Sequence, residues 1–125
     1  DAAQLAPCVE ELPAARMAEI RASWPGPHTW LLPACATTPR WLTGRFNTLA
    51  VRVTAHPLAV GLCCVYGGAI VSTSANLAER PPARTALQVR LRLTDQPDDI
   101  LAGVCEGAGR PSSIRDGRTG RLLRA

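Results

Sequence analysis

The chain has no lysine. All 14 of its basic residues are arginine, so any cation it brings to chemistry is a guanidinium or one of two histidines, His28 and His56. Those histidines are too few and too isolated to argue for a metal. Cysteine occurs five times, at Cys8, Cys35, Cys63, Cys64 and Cys105, but never as a CxxC pair. An odd count without that spacing argues against a secreted disulfide framework and against a zinc site, and fits a reducing cytoplasm. Long apolar runs are also lacking. The longest, residues 58–66, falls well short of the roughly 20 residues that cross a bilayer, which excludes a membrane-spanning helix here. No charged segment followed by an apolar one opens the chain, so no secretory signal is read. Aromatic side chains are scarce, and Trp24, Trp30 and Trp41 are expected to pack in the core or in turns rather than to stack on bases.

What is present describes a soluble globular protein: 46% hydrophobic and 19% charged residues over 125 positions. That length gives one domain, residues 1–125, with a modest core. The formal charge is +4. Arginine offers a planar fork of donors that suits phosphate and carboxylate, which is compatible with nucleotide or RNA partners; equally, arginine standing in for lysine simply coats the surface. The chain opens at Asp1 rather than methionine, which leaves a processed product, a fragment and a shortened gene all open.

Apolar spacing through residues 13–24 predicts a short amphipathic helix, with Pro13 at its first position and the Trp24-Pro25-Gly26-Pro27 turn as its stop. Residues 28–32 read as a strand. Residues 48–54 alternate, with Leu49, Val51 and Val53 on one face, and read as another. Pro57 opens a helix through Tyr66 that Gly67-Gly68 closes, and residues 69–73 read as a short buried strand. Leu87, Val89, Leu91 and Leu93 have strand periodicity, yet leucine and arginine favour helix and Thr85 is a usable N-cap. A strand is expected near residues 100–104, then a glycine-rich loop at 106–109. Residues 111–116 and 121–124 are expected to form a hairpin with a turn at Asp116-Gly117.

Four segments are polar where a structural domain would be apolar. The Trp24-to-Thr29 turn delivers a strand, and taken alone reads as a turn packed by tryptophan. Arg52 and His56 bracket a strand end and a helix start, where guanidinium donors and free backbone N–H groups converge on an anion; a surface ion pair and a helix cap are the plainer alternative. Ser72-Thr73-Ser74-Ala75-Asn76 puts hydroxyls and an amide at the end of a predicted strand, where α/β sheets bind ligands, or forms an ordinary turn. Ser112 and Arg124 lie in a basic tail with five arginines among residues 110–125.

In order and spacing, Trp-Pro-Gly-Pro-x-Thr, Ala-Val-Arg-Val-x-x-His-Pro, Ser-Thr-Ser-Ala-Asn-Leu, Pro-Ser-x-Ile-Arg-Asp and Leu-x-Arg resemble the central and C-terminal part of the YrdC-type threonylcarbamoyl-adenylate synthase family in its short bacterial form. Residues 37–46 and Pro81-Pro82 match as well. The resemblance implies an α/β fold, a twisted open mixed sheet with flanking helices, incomplete at the N-terminus, with a helix over residues 87–93. It implies synthesis of threonylcarbamoyl-adenylate from L-threonine, bicarbonate and ATP, with Mg2+ arriving through ATP, for threonylcarbamoyladenosine at position 37 of tRNA. Arg52, Asn76, Arg84 and Arg124 then fall where the family contacts the nucleotide, and His56, Ser74 and Ser112 where it contacts threonine. Implied partners are other tRNA threonylcarbamoylation proteins downstream and tRNA or double-stranded RNA.

The family's Tyr-Pro-Thr strand and Lys-x-Arg motif have no match here. The catalytic residues are therefore not identified, and the expectation is that these 125 residues alone are nearly silent and continue an absent N-terminal segment. The competing expectation is a non-catalytic RNA-binding module of the same fold, which the arginine excess suits.

Overall fold

The computed structural model describes residues 1–103, 105 and 111–125. The chain divides into two compact units: Asp1–Ala69 with Arg110–Ala125, and Ile70–Gly109.

The first unit is built on a four-stranded sheet of order β2-β1-β3-β4, from β1 (His28–Pro33), β2 (Thr48–Val51), β3 (Ser113–Asp116) and β4 (Leu122–Arg124). β1 pairs antiparallel with β2 and parallel with β3, and β3 pairs antiparallel with β4. The sheet is thus open and mixed, as the family resemblance implied. Helix α1 (Ala14–Ala22) starts one residue later than read, with Pro13 at the N-cap. It ends where Ser23 Oγ donates to the Ile20 carbonyl at 2.7 Å, just before the cis Trp24–Pro25 bond.

Period-2 alternation along β1 sends Trp30 and Leu32 to one face, where Met17 and Ile20 of α1, Val9 and Val51 complete the core. Full burial of side chains such as Ile20 and Leu32 stabilises the fold by about 1.5–3 kcal/mol each. Two tryptophans lock the α1–β1 turn, Trp24 Nε1 donating to the His28 carbonyl at 2.7 Å and Trp30 Nε1 to Ser23 Oγ at 2.9 Å. Trp41, in the short helix α2 (Arg40–Thr43), departs from the packing expected of it and is 75% exposed.

β2 stops at Val51 instead of reaching residue 54. The cause is a switch of partner: the Val53 carbonyl accepts from Gly26 N–H at 2.9 Å, out of register with the β1–β2 ladder. Helix α3 (Pro57–Tyr66) has the predicted bounds, with proline in its first turn and Gly67 closing it at φ 79°. It is apolar all round yet has no buried residue. In the hairpin, Gly117 N–H donates to the Leu31 carbonyl at 2.9 Å. A Cβ at that position would sit 2.6 Å from the same oxygen, so only glycine fits the approach.

In the second unit, α4 (Ala86–Arg92) settles the ambiguous segment as helix. Thr85 Oγ1 accepts from Gln88 N–H at 3.1 Å, and Gln88 Oε1 accepts from Arg84 N–H at 2.8 Å, so two otherwise orphaned donors are satisfied at the helix start. Two strand expectations are corrected. Residues 69–73, and the described part of 100–104, carry no strand, because an apolar run becomes a strand only beside a partner and the four named strands pair among themselves. The glycine-rich segment 106–109 and residue 104 lie outside the described residues. No helix among the described residues is long and apolar enough to cross a membrane.

Candidate functional site

The parallel β1–β3 register sets His28 opposite Ser113 and Thr29 opposite Ile114. Paired residues share a face, so Thr29, Ile114 and Ser112 lie on the side of the sheet away from Trp30 and the α1 core. Side chains make the same point. Thr29 Oγ1 and Ser112 Oγ are 2.9 Å apart, and His28 Nδ1 and Ser113 Oγ 3.0 Å apart on the other face. Across β3, Ile114 pairs with Arg124, whose Nη2 donates to the Ser112 carbonyl at 3.2 Å. The sheet therefore brings two predicted residues, Ser112 and Arg124, into direct contact.

Arg52 follows the last residue of β2, past the end of the β1–β2 ladder, whose final pair is Trp30 with Val51. Arg52 is exposed and makes no hydrogen bond or ion pair with the described residues, so the surface ion pair is not what holds it. Thr29 of β1, Ser112 just before β3 and Arg124 of β4 thus form a row of two hydroxyls and a guanidinium, with Arg52 just past the end of β2. Such a row offers charge-assisted donors to phosphate or carboxylate, and hydroxyls that donate or accept. His56 occupies the N-cap position of α3, its backbone N–H bonded to Thr54 Oγ1 at 3.1 Å; its side chain does not cap the helix.

Ser74, Asn76 and Arg84 belong to the other unit. Ser74 and Asn76 share one turn, Asn76 N–H donating to the Ser74 carbonyl at 3.0 Å, and the turn is closed by Ala83 N–H to the Ala75 carbonyl at 2.8 Å. The Asn76 amide spends a donor on the Leu77 carbonyl at 2.9 Å, while its Oδ1 is buried with no partner among the described residues. A buried acceptor left without a donor is costly, about 1–3 kcal/mol, so what Asn76 offers a ligand is an acceptor. Arg84 contributes its backbone to the α4 cap.

Thr29 is the site residue that sequence reasoning passed over. The signal was a threonine and a histidine opening an otherwise apolar strand straight after a rigid Pro-Gly-Pro turn. Asp116, at the end of β3, accepts from Thr119 N–H at 2.8 Å and Thr119 Oγ1 at 3.0 Å. The Thr119 backbone bond chiefly holds its carboxyl below the usual aspartate value, aided by the Thr119 hydroxyl and by Arg118; its work is to fix the turn. Among the described residues no cluster of three or more histidine, cysteine, aspartate or glutamate side chains could hold a metal.

Comparison with known proteins places this geometry. The Sua5–YciO–YrdC family model, described as telomere recombination, matches residues 1–125. A threonylcarbamoyl-AMP synthase of Nitrosococcus oceani is 54% identical over 124 residues, covering 99% of this chain and 67% of that protein. One from Halorhodospira halophila is 52% identical over 121 residues, covering 97% and 63%. The chain thus spans about two thirds of the length of the curated relatives it matches. Among solved structures, Sua5 of P. abyssi complexed with L-threonine is 31% identical with a TM-score of 0.81 over 90% of this chain and 33% of that one. E. coli YciO is 25% identical with a TM-score of 0.83 over 99% and 61%.

Proposed function

The chain belongs to the Sua5–YciO–YrdC family, and from that premise we propose that it forms the substrate-binding part of a threonylcarbamoyl-AMP synthase serving tRNA modification in the cytoplasm. The observation that carries the reading is the Thr29–Ser112–Arg124 row on the face of the sheet away from α1. The relatives' names and the threonine complex of Sua5 support it.

In this reading the amine of L-threonine captures bicarbonate as a carbamate with loss of water. A carbamate oxygen then attacks the α-phosphorus of ATP, the bond to the bridging oxygen breaks, and pyrophosphate leaves; Mg2+ arriving with ATP would share the phosphate charge. Little covalent work falls to the protein: it holds substrates in line and neutralises phosphate charge. Arg52, Arg84 and Arg124 supply that charge, Asn76 accepts from the nucleotide, and Ser112, Ser74 and His56 take the threonine. Thr29 joins them as the hydroxyl that orients Ser112. None of these is the family's Lys-x-Arg pair, so the chain binds substrates without turning them over at a normal rate.

Calorimetry and a pyrophosphate assay on the purified chain test this together. Saturable L-threonine binding, weakened about tenfold or more in Ser112→Ala by loss of a hydrogen bond to a charged carboxylate, is expected without steady pyrophosphate release. Normal turnover would overturn the division of labour. A specific observation favours a second reading: among the described arginines only Arg16 and Arg21 are ion-paired, which leaves the others for polyanion contacts. Failure to bind threonine or ATP, with salt-sensitive tRNA binding retained, would replace the synthase reading with an RNA-binding module.

A further inference from the structure

The N-terminal segment runs antiparallel beside the chain that leaves β1, with Val9 bridged to Ala34. In an antiparallel pair, stepping back one residue on one side and forward one on the other keeps residues opposed, so Cys8 faces Cys35. Hydrogen bonds bracket the pair. Cys35 N–H donates to the Cys8 carbonyl at 3.1 Å, and Glu10 N–H to the Pro33 carbonyl at 2.8 Å. Thr38 Oγ1 donates to the same Cys8 carbonyl at 2.7 Å, fixing the segment a third time. Directly opposed residues share a face, and Cys35 Sγ lies 4.0 Å from the Ala6 carbonyl, on the side of the Cys8 segment. Both thiols are half-buried, so neither is sealed from solvent.

We propose that Cys8 and Cys35 form a dithiol site that closes to an intramolecular disulfide by exchange with a low-molecular-weight disulfide. Opposed antiparallel residues have Cα atoms about 4.5–5.5 Å apart, inside the roughly 4.4–6.8 Å that disulfides span. One cysteine thiolate attacks a sulfur of the small disulfide, expelling one thiolate; the second then attacks the protein-bound sulfur of the mixed disulfide, expelling the other. The two protein thiols give up two electrons and two protons, and the small disulfide becomes two thiols. The bond ties the N-terminal segment to the end of β1, the strand that carries Thr29. The other three cysteines offer no such arrangement: Cys63 and Cys64 are neighbours on α3, and Cys105 belongs to the other unit. This site is independent of the synthase reading.

The test is exposure of the whole chain to oxidised glutathione, followed by tryptic mass mapping without reduction. Cleavage after arginine separates the peptide ending at Arg16 from the one running from Ala22 to Arg40. The expected product joins those two as the major disulfide, short by two hydrogens, with glutathione on neither. A variant with Cys63, Cys64 and Cys105 all changed to serine should form the same bond at the same rate within about twofold, because bystander thiols do not enter the exchange. Stable glutathione adducts on Cys8 and Cys35, or pairing spread over all five cysteines, overturns the proposal. So does closure only after denaturant is added. If the triple variant does not fold, the wild-type map alone decides.

Discussion

The sheet unit and the Ile70–Gly109 unit use their residues in opposite ways. Every member of the buried core, Val9, Met17, Ile20, Trp30, Leu32 and Val51, lies in the first. The second has a seven-residue helix, α4, with no buried side chain and with Leu87 and Leu91 largely exposed, and a loop in which Val71 is exposed as well. Yet predicted ligand contacts occur in both. On the sheet, Ser112 and Arg124 are set by register between strands. In the second unit, Ser74 and Asn76 are set by local turns. The difference teaches that the candidate residues of the sheet unit are preorganised by a core, while those of the second unit rest on short-range bonds that contribute little to folding.

The sharpest way to break this comparison is a matched pair of truncations. Ile20→Ala removes a fully buried side chain and should lower unfolding free energy by about 2–5 kcal/mol. Leu91→Ala, at a side chain 75% exposed, should change it by no more than about 0.5 kcal/mol. Urea unfolding of both variants measures the contrast. Equal losses would mean that the second unit carries core weight of its own.

A smaller effect separates the units by location. Thr85→Ala removes the α4 N-cap, worth about 1 kcal/mol in typical helices. Amide hydrogen exchange should quicken at residues 88–93 and stay unchanged along β1 and β3. Slower protection lost throughout the sheet would show the two units opening as one.

What was legible in the sequence follows the same line. Helix α3 could be bounded to the residue because Pro57 and Gly67 act locally, and the β3–β4 hairpin announced itself through Asp116-Gly117. α4 was ambiguous by periodicity and was decided by Thr85 and Gln88, a cap signal four residues long. Tertiary choices were hidden. Nothing near residue 53 says that its carbonyl will leave the ladder for Gly26, and nothing in residues 69–73 says that no partner strand awaits them. Thr29 escaped notice as a site residue for the same reason, since the hydroxyl it meets lies 83 positions away. Conversely, Ser112 and Arg124 were placed by family likeness before any register was known, and the structure supplies the physical reason they meet.

The smallest expected effect concerns acid. Asp116 accepts two bonds from Thr119 that favour its ionised form, and they hold its carboxyl below the usual 3.8. A lowered folded value means that the contribution is fully present above the unfolded value and is lost as pH falls through the folded one. The turn that Asp116 fixes also seats Gly117 against Leu31, so weakening it loosens the β1–β3 end of the sheet rather than α4. Unfolding free energy of the wild type and of Asp116→Asn, compared from pH 7 downward, should differ by a constant amount until about pH 4 and converge below it. Because the carboxylate is largely solvated, the gap should be small and shrink little with added salt, the hydrogen bonds outweighing the Arg118 charge. A gap that persists unchanged to the lowest pH would assign the turn's stability to its backbone alone and leave the aspartate a bystander.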